Sequence, residues 1–460
     1  MTTKITRREA LKASGMALAG TMLGSMLPTG AFSAPKKPNI VFIMSDDHRW
    51  NHLGVKGHPW IKTPNLDRMA KEGVIFNNAF CTTSLCSPSR ASFITGQYAH
   101  HHGVKNNLEY WNNDNETVLE HLKTVGYRTG FIGKWHMPGP LPKLRGVDRF
   151  ITFEARTGQG LYFNCPLIID GVETKRENTY ITEDLTDYAI DFIRKEKDNP
   201  FVLYLAHKAP HGPFKDPPDV DKKLYANESI DHLPKWAHRF SGMANGEIYG
   251  MGLGSVEKKH KSYNRLITSV DQQVGRVMDE LDRLGIADNT ILVYTTDNGL
   301  LVGENGHYDK RWAYDQSLRL PFIVRYPNGI KNPGRQSDEM VLNIDVAPFL
   351  LDMVGAKIPG QMDGVSFKPV LQDRAINLRD SFLYEFFKDF PPYTVPDIDA
   401  VRTREFLYVE YNESRMSPEL FDVRKVTKDP VNILETIEGQ NALPGLKQLL
   451  EQYRREKNNG

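Results

Sequence analysis

From Pro38 onward the chain alternates short unbroken apolar runs with longer amphipathic stretches, and this alternation limits the fold more than any other feature. Asn39-Ile40-Val41-Phe42-Ile43-Met44 has no polar residue after its first position, the pattern of a strand buried on both faces. Thr63-Pro64 opens a helical stretch through Met69, with proline in the first turn where its missing N–H is not needed. A helix over 116–124 leads into a strand over 127–132, and another helix precedes a strand over 201–205. The long periodic stretch 256–284 stops at Gly285, before a strand over 290–296. Such alternation predicts an α/β fold: a large mixed, mostly parallel sheet sandwiched by helices. After Gly364 the pattern shifts to short strands at 381–386, 400–403 and 406–411, then a polar terminal helix, with a proline-rich loop over 390–396. The expected organisation is a main domain over 35–365 and a smaller C-terminal α+β subdomain over 366–460.

The first 34 residues read differently. Thr6-Arg7-Arg8-Glu9-Ala10-Leu11-Lys12 is a twin-arginine pattern, followed by a mildly apolar stretch from Ala13 to Leu27 and small residues around Ala31-Phe32-Ser33-Ala34. Together they predict an export signal for the twin-arginine machinery and an exported product, periplasmic or secreted. No other segment is long and apolar enough to span a bilayer, so no stable membrane insertion is expected. A net charge of +1 lacks the basic excess of a nucleic-acid binder. Three cysteines, at 81, 86 and 165, are too few and too odd for a disulfide framework.

Chemistry is concentrated at strand ends. Asp46-Asp47 follows the first strand directly, and Thr295-Thr296-Asp297-Asn298-Gly299 closes another. Open α/β sheets hold ligands at the carboxyl ends of their strands. Three carboxylates and an amide there form an all-oxygen donor set for one hard cation, Ca²⁺ or Mg²⁺, in preference to zinc. Pro88 suits a first helical turn and places Cys86 at a helix N-terminus, where backbone N–H groups favour an anion. Arg90 in that turn points toward the cysteine. Lys134 and His136 are two apart, so on an extended segment they face the same way. His207 reads as structural, and His100, His101 and His102 as loop residues, since three consecutive histidines do not converge on one ion.

Cys86-Ser87-Pro88-Ser89-Arg90, continuing to Ile94-Thr95-Gly96, resembles the signature of the formylglycine-dependent sulfatases, with Ile94 where Leu is commoner. Further likenesses follow in order: Asp46-Asp47, the run Gly126-Tyr127-Arg128-Thr129 through Gly133-Lys134-Trp135-His136, Ala209-Pro210-His211, Asp297-Asn298, and Lys310 ahead of Tyr314-Asp315. Family-like landmarks continue at Asp363-Gly364 and Glu419-Leu420-Phe421-Asp422, whereas the segment after Asp429-Pro430 is shortened. The resemblance implies an alkaline-phosphatase-like fold and oxidation of Cys86 to formylglycine by a maturation enzyme. It implies Asp46, Asp47, Asp297, Asn298 and the modified Cys86 as metal ligands, with Lys134 and Lys310 holding sulfate oxygens.

By the same resemblance the hydrated aldehyde at position 86 attacks sulfur, His211 or Lys310 protonates the leaving oxygen, His136 reopens the intermediate, and Arg90 orients the nucleophile. His307 is expected to touch substrate. Gly306-His307-Tyr308-Asp309-Lys310 and the lead-in Thr83-Ser84-Leu85 resemble sulfatases of sulfated sugars, including the N-acetylglucosamine-6-sulfatase group, so the expected substrate is a sulfated carbohydrate. Two other readings stay open: a formylglycine-dependent phosphonate or phosphodiester hydrolase, and a non-catalytic protein that binds sulfated sugar with a relic site. Asn298 after Asp297 argues against a two-zinc phosphatase.

Overall fold

The computed structural model describes residues 36–142, 144–154, 161–235, 237, 256–389, 395–425 and 427–459. The twin-arginine segment and most of the proline-rich stretch 390–396 lie outside them. The strands in chain order are β1 Asn39–Ser45, β2 Val74–Phe80, β3 Arg128–Gly133, β4 Arg149–Thr152, β5 Leu167–Ile169, β6 Val172–Thr174, β7 Phe201–Ala206 and β8 Thr290–Thr296. They continue with β9 Leu301–Val302, β10 Tyr308–Asp309, β11 Ile323–Arg325, β12 Arg335–Leu342, β13 Ser381–Phe386, β14 Ile398–Thr403, β15 Phe406–Tyr411 and β16 Glu419–Asp422.

Ten of these strands form one sheet in the order β12-β2-β11-β8-β1-β7-β3-β4-β5-β6. β1 lies parallel to both β7 and β8, β3 parallel to β7 and β4, and β12 parallel to β2. β11 runs antiparallel between β2 and β8, and β4, β5 and β6 pair antiparallel at the other side. All seven residues of β1 and of β8 are buried, around the apolar stretches 40–44 and 291–294 at their centres. Alternate β1 side chains serve two cores. Ile40, Phe42 and Met44 pack with Ala91, Phe93 and Ile94 of the helix Cys86–Thr95, and Val41 and Ile43 pack with Leu266, Val270, Val274 and Val277 of the helix Val256–Arg283. The result is the helix-covered, mainly parallel sheet expected of the sequence.

Register decides what gathers at one edge. Ser45 of β1 pairs with Thr296 of β8, and Gly133 of β3 pairs with Ala206 of β7, which on its other side pairs with Met44 of β1. The residues that follow these strands, Asp46, Asp297, Lys134 and His207, therefore leave the sheet side by side. Gly133 has φ 118°, and a Cβ there would stand 1.9 Å from the Ala206 carbonyl oxygen. Only glycine fits the point where β3 turns toward Lys134.

β13 to β16 form a separate antiparallel sheet in sequential order. Leu446 and Leu450 of the terminal helix Ile437–Asn459 cover its outer face, against Leu383, Val401, Tyr408 and Leu420. The inner face, with Phe382, Tyr384, Phe386 and Phe421, packs on Phe80, Leu85, Tyr314 and Leu318. Among the described residues, no helix is long and apolar enough to cross a membrane.

One local expectation is corrected. His100, His101 and His102 are not loop residues but most of a short helix, Ala99–His102, closed by Gly103 at φ 81°. Each ring has its own partner: Glu385 for His100 at 2.8 Å, Asp363 for His101 at 2.8 Å, and the Ser92 hydroxyl for His102 at 3.1 Å. Three separate bonds hold what no single ion would gather.

Candidate active site

The helix Cys86–Thr95 begins at the cysteine itself, after Leu85 in extended conformation, and ends at Gly96 with φ 74°. Every residue in it is buried. Its lead-in is fixed from behind: the Ser84 hydroxyl bonds Tyr384 Oη at 2.7 Å, and Ser84 O accepts the Arg311 N–H at 3.1 Å. Cys86 Sγ thus meets Lys310 Nζ at 3.0 Å and Asp46 Oδ1 at 3.9 Å. Burial pushes its thiol up to about 12, more than Lys134 and Lys310 pull it down. At neutral pH it is an un-ionised thiol, which is a poor nucleophile.

Around it the carboxylates converge. Asp46, Asp47 and Asp297 each offer an oxygen within 4.8 Å of the others. The Asp297 Oδ1 atom accepts the Asp47 N–H at 3.1 Å and the Asn298 N–H at 2.8 Å. Arg90 spans the group, with Nε 2.9 Å from Asp297 Oδ2, Nη2 3.2 Å from Asp46 Oδ2 and Nη1 2.9 Å from the Lys134 carbonyl oxygen. Lys134 Nζ is bonded to Asp46, and Lys310 Nζ lies 2.5 Å from Asp47 Oδ1. Burial pushes Asp47 up to about 7, with Asp46 and Asp297 adding to the rise and Lys310 opposing it. Burial also pushes Asp46 upward, but Lys134, His211, Arg90 and Lys310 outweigh it and hold that carboxyl well below its ordinary value.

Asn298 donates its amide to Asp47 Oδ1 at 2.6 Å, while its own Oδ1 is buried with no partner among the described residues. An unspent acceptor beside three carboxylates is the donor set a hard cation takes. The residues fit such an ion. Formal charges of Asp46, Asp47 and Asp297 balance those of Arg90, Lys134 and Lys310, so a divalent cation leaves an excess of about +2, matched by an anionic ester and an ionised nucleophile.

Two histidines flank this centre. His136 sits at φ 59°, held by the Ser87 hydroxyl donating to its carbonyl at 2.6 Å. Burial, with Lys134 and Arg90 close by, keeps its ring well below the ordinary histidine range. His211 donates from Nδ1 to the Gly212 carbonyl at 2.6 Å, which leaves the Nε2 lone pair 3.7 Å from Asp47 Oδ2. Its ring is likewise held low, by burial first, with Lys134 and Lys310 adding. His136 lines a cavity of 470 Å³ together with Asn107, Tyr110, Trp135, Met137 and Glu154. Asn107 Oδ1 accepts the Ser87 N–H at 3.1 Å, so this cavity adjoins the start of the nucleophile helix.

The structure thus brings together Asp46, Asp47, Cys86, Arg90, Lys134, His211, Asp297, Asn298 and Lys310, with His136 at the cavity side. His307 stands apart from this bonded group: its ring packs at a tilt on Trp312 at 4.1 Å and stacks on Tyr314 at 5.7 Å. Sequence reasoning missed Lys208. It is buried after β7, bonded to the Gly212 carbonyl at 3.1 Å, above the Tyr162 ring, and lowered to about 7 by burial and Lys134. A lysine two residues beyond a buried strand was the available signal.

This fold and this centre are those of an ester hydrolase built on a mostly parallel sheet, and the chain belongs to the sulfatase family, which it matches over residues 38–356. A second match, to the C-terminal region of N-sulphoglucosamine sulphohydrolase, covers 303–456. The N-acetylglucosamine-6-O-sulfatase of Bacteroides thetaiotaomicron is 29% identical over 92% of this chain and 87% of its own length. An arylsulfatase of Clostridium perfringens is 30% identical, over 90% and 94% respectively. A solved structure in complex with its substrate, D-glucosamine-2-N,6-O-disulfate, superposes with a TM-score of 0.78 at 28% identity, covering 92% of this chain and 99% of that one. The chain is accordingly an enzyme, a hydrolase of sulfuric ester bonds.

Proposed function

We propose that this sulfatase removes sulfate monoesters from a sulfated carbohydrate, with position 86 in its formylglycine form and one hard divalent cation, Ca²⁺ or Mg²⁺, per chain. The observation that carries this is the Lys310 Nζ–Cys86 Sγ contact of 3.0 Å beside the three-aspartate cluster. In this reading Sγ stands where a hydroxyl of the hydrated aldehyde would lie. That modification supplies a nucleophile which can release sulfate by re-forming its aldehyde, a route closed to an ordinary thiol. The cation would be held by Asp46, Asp47, Asp297 and Asn298 with residue 86, and supplies charge that lowers the pKa of a bound hydroxyl.

The chain's own groups do the rest. Lys134 and Lys310 hold the sulfate oxygens as point charges in a site that excludes water. Arg90, bonded to two of the aspartates, fixes the orientation of the nucleophile. His136, kept neutral by burial, accepts the proton when the intermediate reopens. The leaving oxygen takes its proton from His211, whose Nε2 must first be protonated since its resting proton is on Nδ1, or from Lys310, which stays charged. His307 is assigned to substrate, on the loop leading to Lys310.

The carbohydrate assignment rests on the relatives' named substrates and on the cavity beside His136, whose exposed Tyr110 ring offers an apolar face to a sugar. Residues 35–365 are assigned the chemistry and 366–460 the role of brace, since Tyr384 Oη donates to the Arg311 carbonyl at 2.6 Å. Export by the twin-arginine route and maturation by a formylglycine-generating enzyme complete the proposal. The test is turnover of sulfated mono- and oligosaccharides by matured wild-type and Cys86→Ala protein. Hydrolysis by wild type alone is expected, and equal rates would refute the nucleophile assignment.

A further inference from the structure

Away from the aspartate cluster, four histidines converge from three separate segments. His52 and His58 follow the Asp46-Asp47 turn, His232 belongs to the segment before the undescribed residues 238–255, and His260 lies in the second turn of the helix Val256–Arg283. Each offers a ring nitrogen within 4.8 Å of the other three. His52 and His260 are fully buried, and His58 and His232 half-buried. The Nε2 atoms of all four, and Nδ1 of His260, are buried with no hydrogen-bond partner among the described residues. Buried polar atoms are rarely left so, and four together at one point call for a ligand.

Hydrogen bonds on the far side of the rings say which atoms can bind. His52 Nδ1 donates to Asn51 Oδ1 at 2.9 Å, and His232 donates to the Ser229 backbone. Those bonds leave Nε2 lone pairs facing inward, the arrangement metal-ligating histidines show. His58 is different. Its Nδ1 accepts the Ile61 N–H at 3.1 Å, so its proton sits on Nε2 and it faces the group as a donor. Trp60 closes one side, with ring centroids 4.8 Å from His58, 5.5 Å from His232 and 5.9 Å from His260. The nearest cation, Arg49, is spent on Glu304 at 2.8 Å.

We infer that His52, His232 and His260 form a second metal site, for a borderline transition-metal ion of the zinc type. The His58 N–H faces the fourth position, where it meets a water or hydroxide. Tetrahedral zinc with Zn–N of ~2.0–2.1 Å spaces its ligand atoms about 3.4 Å apart, so the rings need move little. Burial holds all four rings below the ordinary histidine range, which keeps them neutral and fit to ligate. Three nitrogens select differently from the all-oxygen cluster, so two kinds of ion sort to two places.

The site staples the catalytic loop. His48 Nε2 bonds the His52 carbonyl at 3.0 Å, and Tyr263, one turn from His260, accepts the Arg49 N–H at 2.9 Å and donates to the Asp47 carbonyl at 2.6 Å. An ion bridging His52 and His260 thus ties the turn carrying Asp46 and Asp47 to that helix.

The experiment uses the full folded chain, stripped with a chelator and titrated with Co²⁺ alone, with the visible bands of tetrahedral cobalt as readout. Wild type should bind one zinc-displaceable equivalent with those bands. His260→Gln and the half-exposed His232→Gln should each bind more than about 100-fold more weakly, beyond the cost of losing an outer partner, while Asp297→Asn keeps the bands. Circular dichroism checks that each variant is folded. Absence of tetrahedral bands in folded wild type, undiminished binding by folded His232→Gln, or bands lost only in Asp297→Asn would each overturn the site.

Discussion

Cys86 sits among buried charges, its sulfur meeting both Lys310 and Asp46. Burial of the Arg90, Lys134 and Lys310 cations against three aspartates brings little net stability, since desolvation cancels most of the Coulomb gain. What it provides is fixed charge aimed at one atom. Cys86→Ala should therefore fold with a melting temperature near wild type, yet lose at least about 10⁴-fold in kcat on a sulfate ester. Lys310→Ala should cost about 10²–10³-fold in kcat, read by steady-state kinetics. His136 gives a pH prediction. Its ring is held below the ordinary 6.5, so as an acceptor it stays competent through neutral pH and fails only when acid protonates it. The acid limb of kcat should lie clearly below pH 6.5, and a limb centred at or above 6.5 would remove His136 from that role. The aspartates were legible because short motifs place them at strand ends, and Cys86 and Arg90 because another motif places them in a first helical turn. The left-handed backbone at His136 was not, since its φ depends on the Ser87 tether rather than on neighbouring residues.

At the scale of elements, the parallel register of β1, β3, β7 and β8 does the gathering. A one-residue slip would turn every side chain of a strand to the other face. Gly133→Ala should therefore destabilise by ~2–4 kcal/mol, by strain and by collision with Ala206 O, measured as a lower denaturation midpoint. Buried neutral histidines add an acid sensitivity. His102 and His207 are each lowered to about 3 by burial, against 6.5 for an ordinary histidine. Their folded values lie below their unfolded ones, so this stability is complete above pH 6.5 and drains away as pH falls toward 3. The melting temperature of His102→Gln should depend less on pH across that window. The central strands could be read from their apolar runs. β2 could not, because Asn77 and Asn78 interrupt it. These asparagines pair with Asp338 of β12, where that strand's register shifts, a long-range contact that local pattern does not encode. The histidine cluster was missed for the same reason, its members being joined only by tertiary folding.

For the whole molecule, charge sets the preferred ester. With the proposed divalent cation bound, a centre with about +2 to neutralise would suit a sulfate ester monoanion with an ionised nucleophile better than a phosphate dianion. Rates on sulfate and phosphate esters of one alcohol should favour sulfate by well over tenfold, and the reverse order would favour the phosphonate or phosphodiester reading. Chelation should abolish activity, with Ca²⁺ or Mg²⁺ restoring it. Zinc content alone decides nothing about the catalytic centre if the histidine site holds its own ion. The proposed export route adds a constraint of order: a twin-arginine substrate crosses folded, so under this proposal position 86 is modified beforehand. Replacing Arg7-Arg8 by Lys-Lys should strand modified, active enzyme in the cytoplasm. The most direct test of the account is mass spectrometry of the Cys86 peptide across preparations matured to different extents, set against turnover of a sulfated sugar. Activity should rise in proportion to the converted fraction and vanish with it. Full turnover from a chain whose residue 86 is entirely thiol would contradict the account.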